Sequence, residues 1–203
     1  MLSFALPPSS AILSRAMDLV LFGIQGSGKG TQAKRLAEEK EYVIFEAGGE
    51  LRKIAASKTP LGERVKSFID QGNLVPFEII MEVVRGFVED LNGGGKRILF
   101  DGIPRDMDQR KAFMAMMDAL KREYLCIHIT INEEDAVQRI LGRAREQGRA
   151  DDANEETIRR RMALFHEKTE PAIRAFEAEG KVIEVDGEGG MEEVFERILL
   201  AIE

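Results

Sequence analysis

Nine consecutive residues most constrain what this chain can become: Gly23-Ile24-Gln25-Gly26-Ser27-Gly28-Lys29-Gly30-Thr31. An apolar run, residues 18–24 (DLVLFGI), leads into them, and a segment with helical spacing, 29–40, leads out. Glycines at this junction let successive backbone N–H groups curl around an anion. The helix start adds its partial positive charge, and the Lys29 ammonium reaches the terminal phosphates of a nucleotide. Gly26, Ser27, Gly28, Lys29, Gly30 and Thr31 are therefore predicted to bind phosphate. The general pattern ends in Lys followed directly by Ser or Thr. Here Gly30 takes that place and Thr31 comes one later. A glycine-rich turn holding no phosphate is the plain alternative.

The rest of the chain supplies the fold such a loop needs. Residues 18–24, 42–45, 97–101, 125–131 and 182–186 are short apolar, β-branched or aromatic runs bounded by polar residues or glycine. They are continuous rather than alternating, as strands are when helices cover both faces of a parallel sheet. Helical spacing fills the intervals at 29–40, 76–91, 106–122, 133–146, 155–179 and 191–202. Strand–helix alternation implies right-handed crossovers, so the predicted fold is α/β: a doubly wound, five-stranded parallel sheet flanked by helices. Two stretches depart from simple crossovers: a helical excursion at 46–75 and a short charged loop at 144–152 (AREQGRADD). Insertions of this kind usually serve a site.

Charge and cysteine usage narrow the function classes. The net charge of −7 counts against a surface that tracks nucleic-acid backbones, and a single cysteine, Cys126, excludes an internal disulfide or a multi-cysteine zinc site. No apolar run approaches the length that spans a bilayer. The expectation is a cytoplasmic monomer with neither nucleic-acid nor membrane partners. Residues 1–16 (MLSFALPPSSAILSRA) are broken by Pro7-Pro8 and serines, which disfavours a secretory signal. They are expected to be a disordered extension before one domain, 17–203, with a weak transit peptide or an early start codon as alternatives. His128, in an apolar strand, and His166, on a long helix, are expected to pack or hydrogen-bond rather than catalyse. Met107, Met114, Met116 and Met117 are read as core filling and helix surface. Asp101 closes the run Ile98-Leu99-Phe100-Asp101, where a carboxylate beside a phosphate loop can hold Mg²⁺ through water; a helix-capping aspartate is the alternative.

The form Gly-x-x-Gly-x-Gly-Lys-Gly-Thr resembles the phosphate loop of the adenylate kinases, and further segments agree in order. Residues 48–52 (GGELR) resemble the family's Gly-Asp-x-Leu-Arg, and 59–80 (TPLGERVKSFIDQGNLVPFEII) its monophosphate-binding segment. Residues 101–105 with Gln109 (DGIPRDMDQ) resemble Asp-Gly-Phe-Pro-Arg…Gln. Arg139 and Arg143, then 148–152 (GRADD) and 158–162 (IRRRM), match the arginines around the family's lid.

That resemblance implies transfer of a phosphoryl group from ATP to AMP, with Mg²⁺ and no zinc, because the cysteine-free 144–152 loop matches the short-lid branch. It assigns Gly26 to Thr31, Arg139, Arg143 and Gly189 to ATP. Gly48, Arg52, Asn73, Leu74, Val75, Gly102, Arg105, Gln109, Arg149 and Arg161 go to AMP, and Lys29, Arg105, Arg143, Arg149 and Arg161 to the transfer itself. The arginines make sense on charge alone, since two polyphosphate tails repel strongly unless forked cations neutralise them. Arg145, Arg159 and Arg160 are read as solvated helix charges. Gln109 can pair with the N1/N6 edge of adenine or simply cap its helix, so a CMP or UMP kinase stays open. Where the family commonly has Ser-Thr-Gly-Asp, this chain has Glu46-Ala47-Gly48-Gly49, and Phe77 stands where an aspartate is common. Loss of the threonine hydroxyl and the aspartate keeps a catalytically weak nucleotide-binding module in view, with Glu46 and Glu50 as candidate compensations.

Overall fold

A computed structural model describes residues 17–91, 95–147 and 154–202, with the backbone alone at 143–147. Its elements run β1 (Asp18–Phe22), α1 (Lys29–Lys40), β2 (Tyr42–Glu46), α2 (Ala47–Ala55), α3 (Pro60–Asp70), α4 (Phe77–Leu91), β3 (Arg97–Asp101) and α5 (Met107–Ala119). There follow β4 (Tyr124–Thr130), α6 (Glu133–Gln147), α7 (Glu155–Leu164), α8 (Glu170–Ala178), β5 (Val182–Asp186) and α9 (Met191–Ile202). The five strands form one parallel sheet in the order β2-β3-β1-β4-β5, as the continuous apolar runs require. The predicted extension at 1–16 lies outside the described residues. Among those described, no helix is long and apolar enough to cross a membrane.

Helices cover both faces. On one, Val20, Phe45, Phe100 and Cys126 pack with Val84 and Val88 of α4, Phe113 and Met117 of α5, and Ile173 and Phe176 of α8. Leu19, Leu21, Leu99 and Ile127 face the other way, onto Ala33 and Leu36 of α1 and Phe195, Ile198 and Ile202 of α9. A third cluster, Ile24, Ala136, Ile140, Ile158 and Met162, seats α6 and α7 against the end of β1. Met116 and Met117 are core while Met107 is exposed, and Cys126 is fully buried. The start of β1 is pinned by charge: the buried Asp18 carboxylate accepts from Arg122 Nε (2.6 Å) and Nη2 (2.7 Å) and from the Ile98 backbone N–H (2.7 Å).

The excursion folds as two short helices. Thr59 Oγ1 accepts from the Gly62 N–H at 3.0 Å and Pro60 opens α3, a standard helix start. At Gly72, φ is +70° and a Cβ would sit 3.1 Å from Thr157 Cγ2, so the turn after α3 lies close against α7. The single helix expected over 155–179 is instead divided. Residues Phe165–Thr169 make a π-turn between α7 and α8, with the Glu170 N–H bonded to the Phe165 carbonyl. Pro171 follows and offers no N–H to the preceding turn, which favours a shift in bonding register there.

Candidate active site

Strand order fixes where a ligand can sit. Connections from β1 and β3 leave on opposite sides, so the sheet has its topological switch between these two strands, and a crevice opens at their carboxyl ends. The phosphate loop follows β1 and Asp101 ends β3, so both face this crevice. A cleft of about 990 Å³ occupies it. Along the strand ends lie Glu46 of β2, paired in register with Asp101 of β3, then the loop after β1, and beyond β4 the loop carrying Gly187 and Gly189 after β5.

The loop is already curled. Gly26 and Gly28 have φ of +88° and +91°, and Thr31 and Gln32 N–H groups return to the Gly28 carbonyl as α1 starts. Lys29 Nζ folds over the loop, donating to the carbonyls of Gly23 (2.7 Å) and Ile24 (2.8 Å). Gln32, buried on α1, donates to the Met191 carbonyl at 2.9 Å and so ties the loop helix to the segment after β5.

Lys29, Arg52, Arg105, Arg139 and Arg161 all line the same cleft, together with Gly48, Asn73, Leu74, Val75, Gly102 and Asp101. Arg52 Nη2 donates to Glu46 Oε1 at 2.9 Å, and Arg105 Nε to the Gly102 carbonyl at 2.7 Å. Arg161 Nη2 reaches the Ile69 carbonyl at 3.3 Å. The Arg105 guanidinium is held below its ordinary value, first by desolvation deep in the concavity and then by repulsion from Arg161 and Arg52; Asp101 and Glu46 act the other way. Its side chain still reaches solvent, and an arginine stays protonated through such a shift. Three like charges crowded around open space are an anion site in electrostatic terms.

Three predicted residues fall elsewhere or beyond description. Gln109 is buried rather than lining the cleft; its Oε1 accepts from the Arg105 backbone N–H at 2.8 Å, following the cis Ile103–Pro104 bond. Arg143 is placed by its backbone on α6, while Arg149 and most of the loop at 144–152 lie outside the described residues. Arg159 pairs with Glu155 on the surface, as expected, but Arg160 is more than a solvated charge: its Nε donates to Asn73 Oδ1 at 2.9 Å and links α7 to the excursion. Phe77 begins α4 and packs against the core. His128 is pushed below its ordinary value by burial, and His166 is clasped between Glu133 and Glu170 at 2.6 Å each. Neither histidine lines the cleft. Thr169, which sequence reasoning did not single out, does line it and donates to the Arg105 carbonyl at 2.8 Å. No residue pattern signals that contact, because it depends on the π-turn.

The oxygen donors present suit a hydrated Mg²⁺. Asp101 Oδ2 looks toward Gly30, 3.7 Å from where a Cβ would be, and neighbouring Glu46 adds a second carboxylate. Carboxylate oxygens are the hard donors that match an ion which keeps several of its waters.

Sequence comparison agrees with this geometry. The model of the family described as adenylate kinase matches residues 21–181. An adenylate kinase of Thermus thermophilus is 42% identical over 185 residues, which span 91% of this chain and 96% of that protein. Those of Maricaulis maris (40%) and Phocaeicola vulgatus (36%) each align over 188 residues, 92% of this chain and nearly the whole of the relative. With the phosphate loop, the strand order and the cation-lined cleft in place, the chain belongs to the adenylate kinase family.

Proposed function

We propose that this cleft transfers a phosphoryl group reversibly from ATP to AMP, giving two ADP. The observation that carries the reading is the convergence of Lys29, Arg52, Arg105, Arg139 and Arg161 on one cavity beside the phosphate loop. Two unit charges of like sign ~4 Å apart cost about 4 kcal/mol at an effective dielectric of 20, so two polyphosphate tails cannot meet without cations between them.

In this reading the amides from Gly26 to Thr31, with Lys29, hold the donor's phosphates at the head of α1, and Arg139 adds charge on the donor side. Gly189 meets the donor base in the loop after β5. Arg52 and Arg105 hold the acceptor's phosphate over β2 and β3, with Gly48, Gly102, Asn73, Leu74 and Val75 shaping its pocket. Arg161 lies where the tails meet; Arg143 and Arg149 join it on sequence position. Asp101 would hold Mg²⁺ through water, and the ion when bound would supply positive charge at the phosphates. The acceptor oxygen is already anionic at neutral pH, so no general base is needed and the protein's work is alignment and charge stabilisation. Gln109, buried behind Arg105, is assigned to the adenine edge on sequence position, its carbonyl retaining a second lone pair beyond the Arg105 bond. One cleft within one chain holds both nucleotides, so a monomer suffices.

A coupled assay of ADP formation from ATP, Mg²⁺ and each of AMP, CMP, UMP and GMP tests this. AMP should be preferred by about tenfold or more, and Gln109→Ala should shrink that ratio. Equal use of CMP or UMP would change the acceptor; binding of ATP with no ADP from any monophosphate would overturn the reaction.

A further inference from the structure

The pair of glycines at positions 48 and 49 is a notch for two side chains. A Cβ on Gly48 would lie 3.2 Å from Arg52 Nη1, and one on Gly49 would lie 3.1 Å from Glu46 Oε2. Glu46 leaves the end of β2, and its carboxylate reaches back across the first turn of α2 to bond Arg52 Nη2 at 2.9 Å. It therefore fills the space that a side chain at position 49 would take. Both Glu46 and Arg52 line the cleft, with side chains 45% and 37% exposed, so the pair is open to an incoming ligand rather than sealed in a core.

We infer that Glu46 is the positioning residue for Arg52: it supplies, from the strand end, the carboxylate whose absence at Gly49 otherwise leaves this arginine unguided. The inference rests on the proposed role of Arg52 at the acceptor's phosphate. Arginine carries five N–H donors, and Glu46 engages one terminal nitrogen, leaving the rest of the fork for phosphate oxygens. Holding one rotamer-rich side chain in its bound conformation is worth about three- to tenfold in affinity. Glu46 and Gly49 are thus coupled: a carboxylate fits at one position or the other. Two would crowd and repel, and none leaves Arg52 to sample its rotamers.

The test is a swap with three variants, Glu46→Ser, Gly49→Asp and the two together. Glu46→Ser should raise the KM for AMP about fivefold, with a smaller change in kcat and none in the KM for ATP. AMP binding measured by calorimetry without metal should weaken by the same factor. Gly49→Asp alone should also weaken AMP binding, because its side chain meets the Glu46 carboxylate. The double variant should return AMP affinity to within about twofold of the parent, a recovery that a purely structural role would not give. Thermal melts of all three establish folding. A Glu46→Ser protein with unchanged or tighter AMP binding overturns the inference, as does a folded double variant no better than Glu46→Ser. If the unaltered protein itself binds no AMP, the proposed function fails instead, and the two failures are distinct.

Discussion

Three glycines of the phosphate loop should differ sharply in what an alanine costs, although sequence alone makes them look alike. At Gly26, φ is +88° and an added Cβ would stand 2.5 Å from the Ala136 carbonyl oxygen and 3.1 Å from its carbon. Left-handed backbone costs about 1–2 kcal/mol for an L-residue. The overlap adds a further ~1–3 kcal/mol, because Ala136 is fully buried in the first turn of α6 and cannot step aside without moving that helix. The total is about 2–5 kcal/mol, against an ordinary domain stability of about 5–15 kcal/mol. Gly28 has nearly the same φ, +91°, but nothing lies within 4 Å of its would-be Cβ, so only the backbone cost of about 1–2 kcal/mol remains. Gly30 has no left-handed φ, and its nearest neighbour is Asp101 Oδ2 at 3.7 Å; alanine there should be neutral or gain up to about 1 kcal/mol. Urea unfolding without nucleotide measures the three costs free of any loss of phosphate contacts, provided the m-values agree. The reasoning fails if Gly28→Ala costs as much as Gly26→Ala, or if Gly30→Ala costs more than either.

Arg122→Ala should destabilise the protein by about 3–5 kcal/mol, because it strands the buried Asp18 carboxylate; urea unfolding giving a loss below about 1 kcal/mol would refute this. His166 is raised above its ordinary 6.5 chiefly by hydrogen bonding to Glu170; burial pulls the other way, and the bond to Glu133 adds to the rise. Its charged form is therefore favoured in the fold: the stabilisation is complete below pH 6.5 and disappears as pH climbs through the higher folded value. With 41% of the side chain exposed, screening keeps the effect below about 1 kcal/mol. The stability gap between the parent and His166→Gln should thus be widest in mildly acidic buffer and close in alkaline buffer; a gap that grows with pH contradicts the assignment.

The sheet was legible because burial on both faces leaves its mark as unbroken apolar runs: β3 at Arg97–Asp101 and β5 at Val182–Asp186 fall where the runs do. The phosphate loop was legible because its chemistry is local, nine residues joining one strand to one helix. What escaped is what depends on distant partners or on register. A π-turn adds one residue to a turn without disturbing the amphipathic pattern around it, so 155–179 reads as a single helix, with Pro171 as the only hint. Arg159 and Arg160 are neighbours with the same spacing signal. One faces Glu155 four residues back, the other Asn73 across the cleft wall, and only the packing of α7 on the excursion separates them. Glu46 was visible as a substitute carboxylate, but its direction depends on the space that two glycines leave beside it.

The same distinction separates arginines that hold the fold from those placed to hold a ligand. Arg122 presents two nitrogens to one buried carboxylate and a third contact to the Lys96 carbonyl, with its side chain only 12% exposed. Exchanging that carboxylate for a phosphate would uncover Asp18 at the head of β1, so the pair is committed to the sheet. The cleft cations are held more lightly. Lys29 donates to carbonyls of its own loop among its contacts, Arg105 to that of Gly102 and Arg52 to one oxygen of a half-exposed glutamate. These contacts lie along the cleft rather than in a closed core, so phosphate oxygens can replace or join them. A chain of net charge −7 can therefore gather its phosphate-binding charge in one crevice: the acidic excess lies elsewhere on the molecule, and two of the carboxylates that line the cleft, Glu46 and Asp101, stand at neighbouring strand ends where an arginine or a hydrated metal ion can use them.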